Sequence, residues 1–221
     1  MSIQQEEESL FAEWREKRPG FVADGVVDEN AYLASSPKLL FILKEVNAPG
    51  GGDWDLRSFL RDGGRAQTWN NITRWVEGIR NIPSDFPWSN METINETSRR
   101  LALQSIAAIN LKKSPGGHTT DRATLAATAA EDRAFLNRQF GLYEPDIVLC
   151  CGSDTSDTFH RLVTLDHKPE WKSTRRGVWF HEFKPKRFIV QFAHPEARVA
   201  DTLLFYGLID AIREIVIPIS M

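Results

Sequence analysis

Four short apolar runs, each bounded by proline or glycine, limit what this chain can fold into. LLFILKE (Leu39 to Glu45) follows Pro37 and runs into a glycine cluster, and IAAINL (Ile106 to Leu111) gives way to KKSPGGH. DIVLCCG (Asp146 to Gly152) lies between Pro145 and its own terminal glycine, and RFIVQFAHP (Arg187 to Pro195) ends on a proline. Runs this short fall far below the ~20 residues of a membrane helix. All four read as strands, and LLFILKE, without the polar alternation of a half-exposed strand, reads as one buried on both faces. GVWFHEF (Gly177 to Phe183) beside the last run suggests a hairpin.

The stretches between these runs have helical spacing. Leu10, Phe11 and Trp14 give one apolar face to a helix over 3–17, stopped by Pro19-Gly20. Further helices are expected over 66–79, from Thr120 or Asp121 to Phe140, over 156–165 and over 198–216. Strands alternating with helices predict an α/β fold: a three-layer α/β/α arrangement around a central, mainly parallel four-stranded sheet. Its strands are Leu39–Glu45, Ile106–Asn110, Asp146–Cys151 and Phe188–Phe192. With 221 residues and no repeat or linker, the expectation is a single domain over 1–221, with 1–36 as an N-terminal helical extension packed on it.

Several function classes fall away on composition. The acidic start MSIQQEEESLF has no secretory-signal core, so a cytoplasmic protein is expected. Adjacent Cys150 and Cys151 point to opposite faces of a strand, which argues against a structural disulfide, and two cysteines cannot supply four cluster ligands. The five histidines lack metal-ligand spacing, so neither metal nor cofactor is expected. APGGGDW lacks the GK[ST] ending of a phosphate loop. CGSDTS sets Ser153 just after a strand without the G-x-S-x-G of a nucleophile elbow, which leaves a hydrolase using Ser153 as a third, weaker reading. The net charge of −3 hides an asymmetry: residues 1–30 carry eight acids against three bases, and residues 166–198 carry eight bases against four acids. A basic surface there is able to meet phosphates.

In open parallel sheets, ligands bind at the carboxyl ends of the strands. That rule selects four loops, Glu45 to Asp55, Asn110 to Thr119, Gly152 to Asp157 and His194 to Arg198, where the polar and glycine-rich residues cluster. Trp54 and Trp69 are the tryptophans expected nearest a site.

The motifs in these loops, from roughly Leu39 to the C-terminus, resemble those of the uracil-DNA glycosylase superfamily. KEVNAPG is similar to its first motif, INLKKSPGG to its second strand and loop, EPDIVLCCGSDTSDTF to its proline-opened strand and following helix, and AHPEAR to its late histidine–proline motif. GRAQTWNNITRWVEGI resembles the helix after the first motif in the iron–sulfur members, whose cysteines are missing here. The resemblance implies hydrolysis of the N-glycosidic bond of uracil or a related deaminated base in DNA, with the target flipped out of the stack. Asn110 would read the base through its carboxamide, which offers a donor and an acceptor together. His194 would stabilise the departing anion. Either Glu45 or Asn47 would position the water, depending on alignment. Phe59 and Trp69 are the candidates for stacking on the base, and Lys112, Lys113, Arg175, Arg176 and Arg198 for meeting the DNA backbone. The competing expectation is a catalytically degenerate nucleic-acid- or nucleotide-binding protein of the same fold.

Overall fold

The computed structural model describes residues 1–48, 51–117 and 121–217. Gly50 of the glycine cluster, the end of the 110–119 loop and Thr120 as a helix start lie outside the described residues. In chain order the elements are α1 (Ile3–Arg15), β1 (Gly25–Val26), α2 (Glu29–Ala34), β2 (Leu39–Leu43), α3 (Leu56–Arg61) and α4 (Ala66–Arg80). A 3-10 turn at Trp88–Asn90 precedes α5 (Glu96–Gln104), β3 (Ile106–Asn110), α6 (Arg122–Glu131), α7 (Arg133–Tyr143), β4 (Ile147–Cys151) and α8 (Ser153–Leu162). The chain closes with β5 (Lys172–Ser173), β6 (Trp179–Lys184), β7 (Arg187–Phe192) and α9 (Asp201–Val216).

The fold is α/β, with a mixed sheet of seven strands among the described residues, in the order β1-β3-β2-β4-β7-β6-β5. This corrects the four-stranded, mainly parallel sheet read from the sequence. The four apolar runs form the contiguous parallel centre, β3-β2-β4-β7. Antiparallel strands extend it on both sides: β1 on β3, and β6 and then β5 beyond β7. Two of the added strands are only two residues long, too short to show a period of two.

Alternate residues of the central strands feed two separate cores, as side chains pointing to opposite faces must. Leu39, Phe41 and Leu43 of β2 pack with Trp69, Trp75 and Val76 of α4 and with Leu204, Phe205 and Leu208 of α9. Leu40 and Ile42 pack with Leu10, Phe11 and Trp14 of α1, Leu136 of α7 and Phe159 of α8. Gly78 sets how closely α4 crosses α9, since a Cβ there would lie 2.5 Å from an Ile209 methyl group and 2.7 Å from the Phe205 ring. Residues 1–36 contribute a strand as well as helices, and the Glu7 side chain in α1 accepts from the Val26 N–H of β1 at 2.9 Å.

Two further corrections concern helices. The single helix expected up to Phe140 is two helices joined at Asp132, which ends α6 and starts α7. Its buried carboxylate accepts from Arg18 Nε at 2.7 Å, which ties the junction of the two helices to the N-terminal region. The segment Gly152 to Asp157 is not a loop: Gly152, at φ 106°, turns β4 directly into α8, whose first turn holds Ser153. Among the described residues, no helix is long and apolar enough to cross a membrane.

Candidate functional site

The carboxyl ends of β2, β3 and β7 open into one cavity of ≈ 490 Å³, a volume typical of small-ligand sites. Glu45 and Asn47 follow β2, Asn110 ends β3, and His194 follows β7, and all four line this space. Phe59 of α3, Trp69 of α4 and Trp54 line it too, so seven residues singled out from the sequence meet in one place. Trp69 is buried, whereas Phe59 is 42% exposed at the mouth. Trp54 meets Phe59 edge-on, with ring centroids 6.0 Å apart, and completes an aromatic wall.

Asn110 is 3% exposed, and its setting is built by a residue that the sequence did not single out. Asp24, fully buried, accepts from the Asn110 backbone N–H at 2.7 Å and from Nδ2 at 3.2 Å. Its other carboxylate oxygen is bonded by Lys113 Nζ and by Gln139 Nε2 at 2.9 Å. Gln139 Oε1 accepts from Lys113 at 2.8 Å, and its amide also donates to the Tyr143 hydroxyl at 2.9 Å. That hydroxyl donates to Glu7 at 2.6 Å, and Glu7 in turn accepts from Arg57 at 2.6 Å. Burial pushes the Lys113 ammonium below its usual range, against the pull of Asp24, and pushes the Glu7 carboxyl up.

The strand pairing of β2 and β3 continues into the site. Lys112 N–H donates to the Lys44 carbonyl at 2.9 Å, and Gly116 N–H to that of Val46 at 2.9 Å. Glu45 lies so close to Gly116 that a Cβ there would sit 2.0 Å from its carboxylate oxygen. The carboxylate is bonded by Lys112, which also donates to the Pro115 carbonyl at 3.3 Å. Asn47 is exposed at the rim.

His194 stands on the opposite wall. The Glu196 backbone N–H donates to its Nδ1 at 3.1 Å, so the lone pair of the neutral ring is on Nδ1 and its proton on Nε2. Burial lowers its pKa below the ordinary value of 6.5; Glu196 opposes this and Lys44 adds to it. Near neutral pH the ring is therefore an uncharged donor. Its loop is fastened to α4: Glu196 accepts from Thr68 Oγ1 and from Arg65 Nη2 at 3.0 Å, and Asn71 Nδ2 donates to the Pro195 carbonyl at 2.9 Å.

The residues expected to meet a DNA backbone separate into two groups. Lys113 is fully enclosed and Lys112 is largely buried against Glu45, so neither faces a phosphate; both are corrections, since each ammonium is used to neutralise an acid inside the protein. Arg175, Arg176 and Arg198 are exposed and do not line the cavity. Arg176 pairs with Asp210 at 3.2 Å, and the Arg175 backbone N–H donates to Glu214 at 2.9 Å. Ser153 does not line the cavity either. Cys150 and Cys151 are free and buried, with thiol pKa values pushed up by burial. Among the described residues, no group of three or more potential ligands is arranged to hold a metal ion.

The charged residues lining the cavity are all matched. Lys44 approaches Asp154 at 3.9 Å, Glu45 meets Lys112, and Arg65 meets Glu196. A lining of paired charges, aromatic rings, a carboxamide and a neutral imidazole suits an uncharged polar ring better than a bare phosphate. No protein-family model matches this sequence, and no curated protein matches it.

Proposed function

We propose that this cavity receives a nucleobase, and that the chain is a DNA glycosylase-like enzyme with a three-layer, uracil-DNA glycosylase-like fold. The observation that carries the reading is the convergence of Asn110, His194 and Glu45, each from a different strand end, on one cavity with an aromatic wall. In this reading a flipped base lies against Trp69 and Phe59, and Asn110 reads its polar edge. As the N-glycosidic bond breaks, its electron pair leaves with the base. The His194 Nε2–H then donates to the base oxygen on which that charge develops. A water oxygen bonds to the sugar carbon, and the proton it loses neutralises the departing base.

The test is release of uracil, hypoxanthine or xanthine from single- and double-stranded oligonucleotides. Release by the wild-type protein, slowed by His194→Ala, supports the reading; no release of any of the three removes the enzyme. Glu45→Gln and Asn47→Ala separate the two candidates for holding the water, since only the variant that loses that function slows cleavage. If DNA is the partner, binding weakens steeply with salt and weakens further when Arg175 and Arg176 are reversed to glutamate.

One observation favours the second reading, a binding protein of the same fold. The Glu45 carboxylate is already held by Lys112, which leaves it a weaker partner for water than an unpaired carboxylate. Stable binding of a uracil-containing oligonucleotide without release selects this reading.

A further inference from the structure

We infer that Asp24 is a positioning residue that fixes which way Asn110 presents its amide, and thereby makes the cavity selective for bases carrying a ring N–H beside a carbonyl. This rests on the reading of the cavity as a nucleobase site. A carboxylate only accepts hydrogen bonds, so only the NH₂ side of the Asn110 amide can face Asp24 Oδ2, as its 3.2 Å contact shows. The same oxygen also accepts from the Asn110 backbone N–H at 2.7 Å, which holds the residue at both ends. Lys113 and Gln139 bind the other carboxylate oxygen and keep Asp24 from rotating away. The amide therefore turns its Oδ1 away from Asp24, and the second Nδ2 proton remains beside it.

An acceptor next to a donor in that fixed order complements the N–H and C=O edge of uracil, hypoxanthine or xanthine. Cytosine and adenine carry a ring lone pair and an exocyclic amine at the matching positions, and would need the amide rotated by half a turn. Rotation would set the carboxamide oxygen against the Asp24 carboxylate, two acceptors with no proton between them. Discrimination at the ligand is thus set by a residue on the far side of Asn110, in a network sealed from solvent.

The test uses the full chain and two variants. Asp24→Ala removes the lock. Asp24→Ala/Lys113→Met removes it without leaving a buried ammonium unpaired, and so keeps the test open if the single variant fails to fold. Single-stranded oligonucleotides carrying one uracil or one cytosine are titrated, followed by tryptophan fluorescence. The expected result is a wild-type preference for uracil that shrinks by about tenfold to a hundredfold in the double variant, the scale of one hydrogen bond to a charged group. In parallel, the Asn110 side-chain NH₂ resonances, identified by their loss in Asn110→Asp, are expected to show one slowly exchanging, hydrogen-bonded proton that disappears in the double variant. An unchanged base preference in a folded double variant overturns the inference and leaves the nucleobase reading standing. If the wild-type protein binds neither oligonucleotide, the nucleobase reading fails, and selectivity for bases is overturned with it. The resonances then decide the positioning alone: a proton unlocked by the variant supports it, and one that exchanges freely in the wild type overturns it.

Discussion

The two polar walls of the cavity are held in opposite ways. On the β3 side, Asn110 is fixed by Asp24, which is enclosed with Lys113 and Gln139 in a network with no solvent contact. On the β7 side, His194 is carried by a loop fastened to α4 through Glu196, Thr68 and a half-exposed Arg65. Ion pairs buried this deeply are little screened by salt, and removing one partner strands the other. Pairs at the rim are screened and individually weak. The wall that would read a base is thus tied to the stability of the whole fold, whereas the wall that would meet the developing charge rests on one buried amide contact, Asn71 to the Pro195 carbonyl, and otherwise on rim pairs that can be adjusted at little cost.

The largest effect should come from breaking the buried wall. Lys113→Met leaves the Asp24 carboxylate uncompensated and is expected to cost about 3–5 kcal/mol in urea unfolding. Asp24→Ala/Lys113→Met should be more stable than either single variant, because it buries no unpaired charge; a double variant less stable than both would contradict the assignment of that wall. Next, His194→Ala should leave unfolding nearly unchanged. If the cavity is catalytic, it raises the barrier by about 2.7–4 kcal/mol, the scale of one lost donor to a developing anion, read as kcat at saturating substrate.

A smaller effect separates the walls by pH. His194 has a lowered pKa and acts as a neutral donor, so any activity that uses it persists below pH 6.5 and falls as pH drops through that lowered value. His194→Gln should flatten this limb. Acid loss from elsewhere remains in both proteins and serves as the internal control. Outside both walls, the buried His181 of β6, whose pKa burial pushes down to about 4, is neutral in the folded state, so stability present above pH 6.5 is lost as pH falls towards 4. The smallest effect is at the rim: Arg65→Ala should cost about 0.2–1 kcal/mol, and the difference from wild type should vanish in high salt.

What the sequence revealed follows the same division. The central strands were legible because LLFIL, IAAI, IVLCC and FIVQF are apolar runs bounded by turn residues, and the cavity followed because their carboxyl ends share one edge. Gly25–Val26 and Lys172–Ser173 were not, since two residues show no periodicity. Lys112 and Lys113 read as a basic pair open to phosphate because charge in a loop usually faces water. Their carboxylate partners lie 67 and 89 residues away and leave no local trace. Asp24 was missed for that reason: it sits in an unremarkable VADGV segment, and only the folded chain brings it to Asn110. The burial of Asp132 at the break between α6 and α7 was hidden in the same way, since its partner Arg18 is distant in sequence.

The contact between Asp24 and Asn110 closes 86 residues of chain, and the Glu7 and Tyr143 contact closes 136. Contacts of such separation carry a loop-closure cost that local helices do not, and they tend to form after local structure. The amide that faces the cavity is therefore oriented only when the segment around β1 has docked beside β3 and α7 has closed over it. Helical signal should return early on refolding, and, if the cavity binds a base, that binding only with the last tertiary phase. A chain caught with its edge strand undocked would carry a complete parallel centre and an unheld Asn110 amide, so that the orientation of that amide reports the arrival of the N-terminal segment rather than the formation of the core.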